Sequence, residues 1–344
     1  MSKVLINILG GDNSLRFNAA DKARTDVNKT LVRLGYQETQ IVYPSNLSKL
    51  HAIIKHLHEI GKAIPKIRRQ RPEDIIIQYP GYRLGTRAIQ LITRMLKKRH
   101  VTLLIHDIDS LRMFGQISKR EISIMNSVSR LLVHTPAMKK YLQQNGVSTP
   151  MTILGCFDYY AEGECIINSC INSCASPDYS IVFAGNLKKS EFLYKIKETL
   201  SPHNLFLYGL PVEYEWPNGI SYEGKFHPDQ INGIKGDWGL VWDGDSLSTC
   251  TGQMGDYLKF NASHKASLYI ASGKPQIVWN ESALAEFIVQ NNLGIAVSSL
   301  EEIPQRLKSI TDAKYTEILQ NIKKFQQLVR NGGMLEVALN SPPE

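Results

Sequence analysis

Short apolar runs rich in β-branched residues alternate with longer amphipathic stretches along most of the chain, and that alternation admits few folds. VLINIL (4–9), QIVYP (40–44), DIIIQYP (74–80), VTLLIH (101–106), LLVHT (131–135) and MTILG (151–155) are separated by helical patterns at 18–35, 48–62, 84–98 and 136–145. Strands of this kind joined by helices form a parallel sheet covered on both faces, which predicts a doubly wound α/β domain over 1–155. The pattern lapses over the polar, Cys-rich segment 156–179, read as a linker, and then restarts. SIVFAG (180–185), NLFLYG (204–209), ISYEG (220–224), WGLVW (238–242), PQIVW (275–279) and GIAVS (294–298) read as strands, with helices near 190–200, 262–272, 283–291 and 299–330. A second domain of the same class is expected over 180–330, with a tail at 331–344. With 344 residues and 43% hydrophobic content, each domain can enclose a core.

Open α/β sheets bind ligands outside the carboxyl ends of their strands, so a ligand is expected in a cleft between the two sheets. The strand-end loops are GGDNS (10–14), HDIDS (106–110), GNLKKS (185–190) and DGDS (243–246), and a fifth candidate is DYLKFNASHKASLYIASGKPQIVW (256–279). No G-x-G-x-x-G follows a strand, and no G-x-x-x-x-G-K-[ST], G-x-S-x-G or H-E-x-x-H occurs. The dehydrogenase, P-loop, serine hydrolase and zincin readings therefore lack their mechanical parts. Phosphate binding without a P-loop remains. A helix beginning near Ser263 offers backbone N–H groups and the positive end of its dipole, and Lys265 adds a full charge in the first turn, a combination suited to a diphosphate. A cation there opposes the dipole, and an anion would relieve the conflict. The plainer alternative is a helix start with a solvent-facing lysine.

Charge is divided unevenly. Residues 1–155 carry 25 Lys/Arg against 10 Asp/Glu, net +15, and residues 156–344 carry 15 against 22, net −7, within a total of +8. The clusters KAIPKIRRQR (62–71) and RMLKKRH (94–100) suit nucleic acid, an anionic membrane surface, an anionic substrate or simple solvation. No zinc finger, RNP-like motif or basic-aromatic interleaving supports nucleic acid, which is not expected as a partner. No run of about 18 apolar residues is present to span a bilayer, and the N-terminal segment lacks a secretory pattern, so a cytoplasmic protein is expected. The five cysteines, Cys156, Cys165, Cys170, Cys174 and Cys250, have no paired C-x-x-C spacing and are expected as free thiols.

The block WGLVWDGDSLSTCTGQMGDYLKFNASHKASLYIASGKPQIVWNESALAEFIVQNNLGIAVSSLEEI (238–303), with shorter matches in NAADKARTDV (18–27), LLIHDIDSLR (103–112), HTPAMKKYL (134–142) and VFAGNL (182–187), carries a likeness. It resembles the bacterial β-1,6-galactofuranosyltransferases of O-antigen and related surface polysaccharides, and more distantly the glucosyltransferase-3 enzymes that extend glycans on serine-rich adhesins. The resemblance implies a GT-B architecture of two Rossmann-type domains and transfer of a hexose from a UDP-sugar to a glycan, with the nucleotide in the C-terminal domain. Galactofuranose is the expected sugar and UDP-glucose the alternative donor. It further implies that Lys265 with Ser263, His264, Ala266, Ser267 and Leu268 lines the diphosphate. Phe226, His227, Pro228 and Asp229, with Lys189, would lie near the uridine or its phosphates, and Asn18 where the N-terminal domain approaches the donor. Relatives often carry Pro at position 263; Ser263 is also a good helix cap.

Two Asp-x-Asp triplets, Asp107/Asp109 and Asp243/Asp245, resemble the cation-holding triplets of single-domain transferases. With a cationic helix mouth to compensate the diphosphate, no metal and no cofactor beyond the UDP-sugar co-substrate is expected, leaving Asp243 and Asp245 to bind sugar hydroxyls or fix their loop. An inverting reaction needs a base for the acceptor hydroxyl. Asp107 is the first candidate and Asp109 the second, with His106 as orienting partner; a structural carboxylate answering Arg112 is the competing role. The resemblance implies an oligosaccharide or glycoprotein acceptor, and a lipid-linked one would bring the basic face to the inner leaflet. A homo-oligomer is compatible with the sequence. A non-catalytic nucleotide-sugar-binding subunit and a nucleic-acid-associated protein remain as readings of other classes.

Overall fold

Ile75, Ile76 and Ile77 follow one another in a single strand and all three are fully buried, which only a sheet covered on both faces allows. In this computed structural model the structure describes residues 2–10, 19–43, 49–81, 85–163, 179–196 and 198–343. The chain divides into two compact units, Met1–Leu154 with Leu335–Glu344, and Gly155–Met334.

The first unit runs β1 (Lys3–Gly10), α1 (Ala19–Arg33), β2 (Tyr36–Tyr43), α2 (Lys49–Gln70), β3 (Asp74–Tyr79), α3 (Gly85–Met95), β4 (Val101–Ile105), α4 (Asp109–Phe114), α5 (Lys119–Met125), β5 (Arg130–Val133), α6 (Pro136–Gln144) and β6 (Met151–Ile153). Its six strands are parallel in the order β2-β1-β3-β4-β5-β6, so the order reverses direction between β1 and β3. The six expected strands are all present. Helices α4 and α5 are additions, too short to show a periodicity. Helix α2 runs on through Pro65 to Gln70, beyond the expected end at residue 62.

The second unit runs β7 (Ile181–Ala184), two 3₁₀ turns (Leu187–Lys189 and Glu191–Tyr194), β8 (Leu205–Tyr208), β9 (Ile220–Tyr222), β10 (Trp238–Val241), α7 (Gly252–Tyr257), α8 (His264–Ala271), β11 (Gln276–Trp279), α9 (Ala285–Gln290), β12 (Gly294–Val297), a 3₁₀ turn (Leu300–Glu302), α10 (Ile303–Lys308), α11 (Asp312–Arg330) and the start of α12 (Gly333–Asn340). Six parallel strands lie in the order β12-β11-β10-β7-β8-β9. The helix expected near 190–200 is replaced by 3₁₀ turns, and the Phe192 N–H, free of any intrahelical partner at that position, bonds the Gly244 carbonyl at 3.3 Å. The expected helix 299–330 is broken where the Thr311 side chain accepts the Lys314 N–H at 3.3 Å and starts α11 afresh.

The segment read as a tail is helical. Its α12 buries Leu335 and Ala338, and the buried Arg130 guanidinium donates to the carbonyls of Ala338, Leu339 and Ser341 at 2.6, 3.0 and 2.6 Å. A cation over the last carbonyls of a helix satisfies groups that have no intrahelical donor. Cys165, Cys170 and Cys174 lie outside the described residues, whereas Cys156 and Cys250 are buried free thiols. Burial pushes the Cys250 thiol up to about 12. No helix among the described residues is long and apolar enough to cross a membrane.

Candidate functional site

In the second unit β7 pairs with β8 on one side and β10 on the other, so the strand order switches between β7 and β10. Their pairing covers only Trp238↔Ile181 and Gly239↔Val182. Beyond it, the Tyr269 hydroxyl links the two strands, accepting from the Ala184 N–H at 2.9 Å and donating to the Leu240 carbonyl at 3.2 Å. The ring of Tyr269 lies so close to β10 that a Cβ at Gly239 would fall 2.2 Å from it. Such a switch point, at the carboxyl ends, is where doubly wound sheets receive ligands.

Lys265 reaches this place from the first turn of α8. Its Nζ donates to both oxygens of Asp243 at 2.8 and 2.9 Å and stands 5.2 Å above the centre of the Phe183 ring. Asp243 follows β10, and Gly185 follows β7; a Cβ at Gly185 would lie 3.8 Å from Lys265 Cδ and 3.3 Å from Phe183. Gly209, after β8, is more tightly constrained, since a Cβ there would come within 2.2 Å of the Gly185 carbonyl oxygen. The two glycines therefore let the ends of β7 and β8 approach each other and the Phe183 ring where a side chain would collide with protein. The Lys265–Asp243 pair is neutral as a unit, so the opening amides and dipole of α8 supply the rest of any attraction for an anion.

The neighbours of Lys265 contribute differently from one another. Ser263 occupies the cap position of α8 but its side chain makes no capping bond, and its carbonyl accepts the Ala266 N–H at 2.9 Å. His264 rests on aromatic rings, its centroid 5.1 Å from that of Tyr159 and 6.2 Å from that of Phe157. Ala266, Ser267 and Leu268 are buried in the helix interior face, where they pack rather than project. Phe226 meets Tyr208, at the end of β8, ring edge to face at 5.5 Å. Residues 227–230 form a turn through Pro228: the His227 carbonyl accepts the Gln230 N–H at 2.8 Å, and His227 Nδ1 accepts the Asp229 N–H at 3.2 Å. Lys189 is exposed on the loop after β7, its N–H bonded to Asn186 Oδ1 at 3.2 Å. Asp245 accepts the Thr251 hydroxyl at 2.6 Å, which together with minor contributions holds its carboxyl below the ordinary range.

In the first unit the loop after β4 gathers His106, Asp107 and Asp109. Arg112 forks across both carboxylates, Nη1 to Asp107 at 3.0 Å and Nη2 to Asp109 at 3.1 Å. His106 Nε2 lies 2.6 Å from Gln78 Oε1, so that nitrogen is aimed at Gln78, and Arg112 is a cationic partner of Asp107. Buried Glu121 braces the loop from α5 by accepting from the Tyr79 hydroxyl at 3.0 Å, the Ser118 hydroxyl at 2.8 Å and the Ser110 hydroxyl. Burial raises the Asp109 carboxyl above its ordinary value; Arg112 opposes this, Glu121 adds to it and Arg24 opposes it. Asn18 and residues 11–14 of the first loop lie outside the described residues. No group of three or more His, Cys, Asp or Glu is placed to hold a metal ion among the described residues. Sequence reasoning missed Tyr269, Phe183 and the Asp243 partner; only Tyr269 had a local signal, one helical turn beyond Lys265.

Residues 181–341 match the family model described as glucosyltransferase 3-like, C-terminal domain, and residues 3–156 that of the glucosyltransferase 3-like, N-terminal domain. The chain is 31% identical over 327 residues to the β-1,6-galactofuranosyltransferase WbbI of Escherichia coli (strain K12), covering 93% of this chain and 94% of that one. It is 23% identical over 328 residues to glucosyltransferase 3 of Streptococcus parasanguinis, covering 92% of this chain and 91% of that one. The solved structure of sucrose-phosphate synthase from Thermosynechococcus elongatus matches with a TM-score of 0.61 at 11% identity over 98% of each chain. That likeness speaks for the fold, a two-domain α/β architecture of the GT-B class.

Proposed function

The chain is a glycosyltransferase belonging to the family of β-1,6-galactofuranosyltransferase WbbI and the glucosyltransferase 3-like proteins, and we propose that it moves galactofuranose from a UDP-sugar to a glycan acceptor in surface polysaccharide synthesis. The observation that carries this reading is Lys265, held by Asp243 at the switch point between β7 and β10, in the first turn of a helix and beside glycine strand ends.

A diphosphate bound there would lie against the α8 amides and the ammonium. When the acceptor hydroxyl forms its bond to the anomeric carbon and the bond to the diphosphate oxygen breaks, the charge left on UDP is met by Lys265 without reorganisation. The proton of the acceptor hydroxyl goes to Asp107, which Arg112 holds in place. Phe226 to Asp229 and Lys189 would surround the uridine end, and no metal is required. The reaction takes place in the cytoplasm, and a lipid-linked acceptor would place the enzyme on the inner leaflet. The glucosyltransferase 3 relatives support UDP-glucose as the second donor to try.

UDP release measured with UDP-galactofuranose, UDP-galactopyranose and UDP-glucose, each with a polysaccharide acceptor, tests the reading. The highest turnover is expected with UDP-galactofuranose. A preference for UDP-glucose would move the activity to glucosyl transfer, and no release from any UDP-sugar would overturn the donor class.

A further inference from the structure

Helix α2 carries Ile53, Leu57, Ile60, Ile64 and Ile67 at spacings of four and three, one continuous apolar stripe along its length. The stripe is treated in two ways. Ile60, Ile64 and Ile67 are fully buried, whereas Ile53 and Leu57 are 54% and 53% exposed, with Ile54 beside them at 57%. The buried part of α2 packs over β2, and since the helix follows β2 and runs back toward the start of β3, its exposed first turns lie at the carboxyl end of the sheet. Met113 and Phe114, 53% and 73% exposed, end the short α4 that leaves β4 at that same end.

We infer that the first turns of α2 insert into the surface of an anionic lipid bilayer, Ile53, Ile54 and Leu57 entering the acyl boundary while Lys55 of the same turns contacts headgroups and the basic second half of the helix adds attraction at longer range. Along α2 the chain has Lys49, Lys55, Lys62, Lys66, Arg68 and Arg69 against one acid, Glu59, a composition that matches interfacial helices. It lies in a segment of net +15, which an anionic leaflet attracts and a second copy of the same surface repels. Area argues the same way. Three half-exposed aliphatic side chains present on the order of 300 Å², well short of the roughly 800 Å² per partner of a stable protein interface. The inference deepens the inner-leaflet placement but does not depend on the donor sugar.

The test is flotation of the full chain with vesicles of about 30% phosphatidylglycerol in phosphatidylcholine, alongside phosphatidylcholine alone. Wild type is expected on the anionic vesicles, with a fraction resisting about 0.5 M NaCl, because inserted apolar area is not screened. Ile53→Ser/Ile54→Ser/Leu57→Ser is expected to lose about tenfold or more in partitioning and all of the salt-resistant fraction. Lys62→Ser/Lys66→Ser/Arg68→Ser/Arg69→Ser should lose capture at low salt. Independently, a Leu57→Trp variant should shift its emission to shorter wavelength on anionic vesicles. Partitioning of the triple variant equal to wild type, or an emission from the Leu57→Trp variant that anionic vesicles leave unshifted, would overturn insertion. So would a sedimentation experiment in which wild type is dimeric and the triple variant monomeric, since the stripe would then be covered by a second copy.

Discussion

Asp107-Ile108-Asp109 and Asp243-Gly244-Asp245 are the same pattern in the same kind of place, just past the carboxyl end of a parallel strand, and they are built in opposite ways. Ile108 is fully buried, and one guanidinium, that of Arg112, spans both carboxylates. Gly244 has φ +106°, and a Cβ there would come within 2.4 Å of the Thr251 carbonyl oxygen. The chain turns sharply at this glycine, and the two carboxylates part, Asp243 to the Lys265 ammonium and Asp245 to the Thr251 hydroxyl. The middle residue decides what the triplet does. An anchored apolar residue keeps the carboxylates within one clamp; a left-handed glycine divides them between the Lys265 ammonium and the loop's own closure.

The largest effect is expected where a carboxylate takes part in proton transfer. Asp107→Asn should lower kcat by about 1,000-fold, within the range for loss of a general base, whereas Asp109→Asn should cost far less. A reversed ranking would transfer the role to Asp109, and two mild effects would reduce the clamp to a structural ion pair. Next comes Lys265→Ala, expected to cost on the order of 100-fold in kcat/KM with the fold intact, because the leaving diphosphate loses its facing charge. A folded variant with parental activity would remove the diphosphate from α8.

Asp243→Asn sharpens the contrast further. The lysine keeps its charge but loses the bidentate partner that aims it, so a drop of about tenfold in kcat is expected, with donor KM little changed, as for a positioning residue. A loss as large as that of Lys265→Ala would give Asp243 its own contact with the donor. If neither triplet holds a cation, activity in EDTA should stay within about twofold of the untreated enzyme. Loss in EDTA with recovery on Mn²⁺ would show that one triplet opens to take a metal.

Both sheets were legible in the sequence for a physical reason: strands buried on two faces, such as Ile75–Ile77 and Trp238–Val241, read as unbroken apolar runs. Lys265 was legible because a polar stretch followed by an apolar helix marks a helix start. Its partner was not, since Asp243 is brought to it across 22 residues of chain by the sheet alone. The short helices α4 and α5 escaped for want of length, although Ser118 and Glu121, a capping box at α5, were a readable start signal. The 3₁₀ turns after β7 sit beside a tertiary bond from Phe192 to Gly244, which no local pattern encodes. Nor could hydropathy separate the two halves of α2, because Ile53 and Leu57, exposed, and Ile60, Ile64 and Ile67, buried, lie on one stripe and differ only in what the fold sets against them.

The smallest expected effect separates the triplets by sign. Asp109 has its folded carboxyl raised, chiefly by burial, so the folded state holds that proton more firmly than the unfolded chain. Its contribution is fully present below the ordinary carboxylate value of about 3.9 and is lost as pH rises through the higher folded value. Asn imitates the protonated form, so Asp109→Asn should raise the thermal midpoint at neutral pH, and the gain should fade toward pH 3. Asp245 is depressed, chiefly by the Thr251 hydroxyl. Its stabilising contribution is present above the ordinary value and disappears as pH falls through the lower folded one, so Asp245→Asn should lower the midpoint at neutral pH and cease to matter in acid. Both carboxylates are substantially solvated, and shifts of only a degree or so are expected. Midpoints followed from pH 3 to 8 in the two variants should therefore diverge from wild type in opposite directions as pH rises. Curves that move together would mean that the middle residue does not set the electrostatics of the triplet, and that the clamp by Arg112 and the turn at Gly244 are equivalent ways of holding two acids.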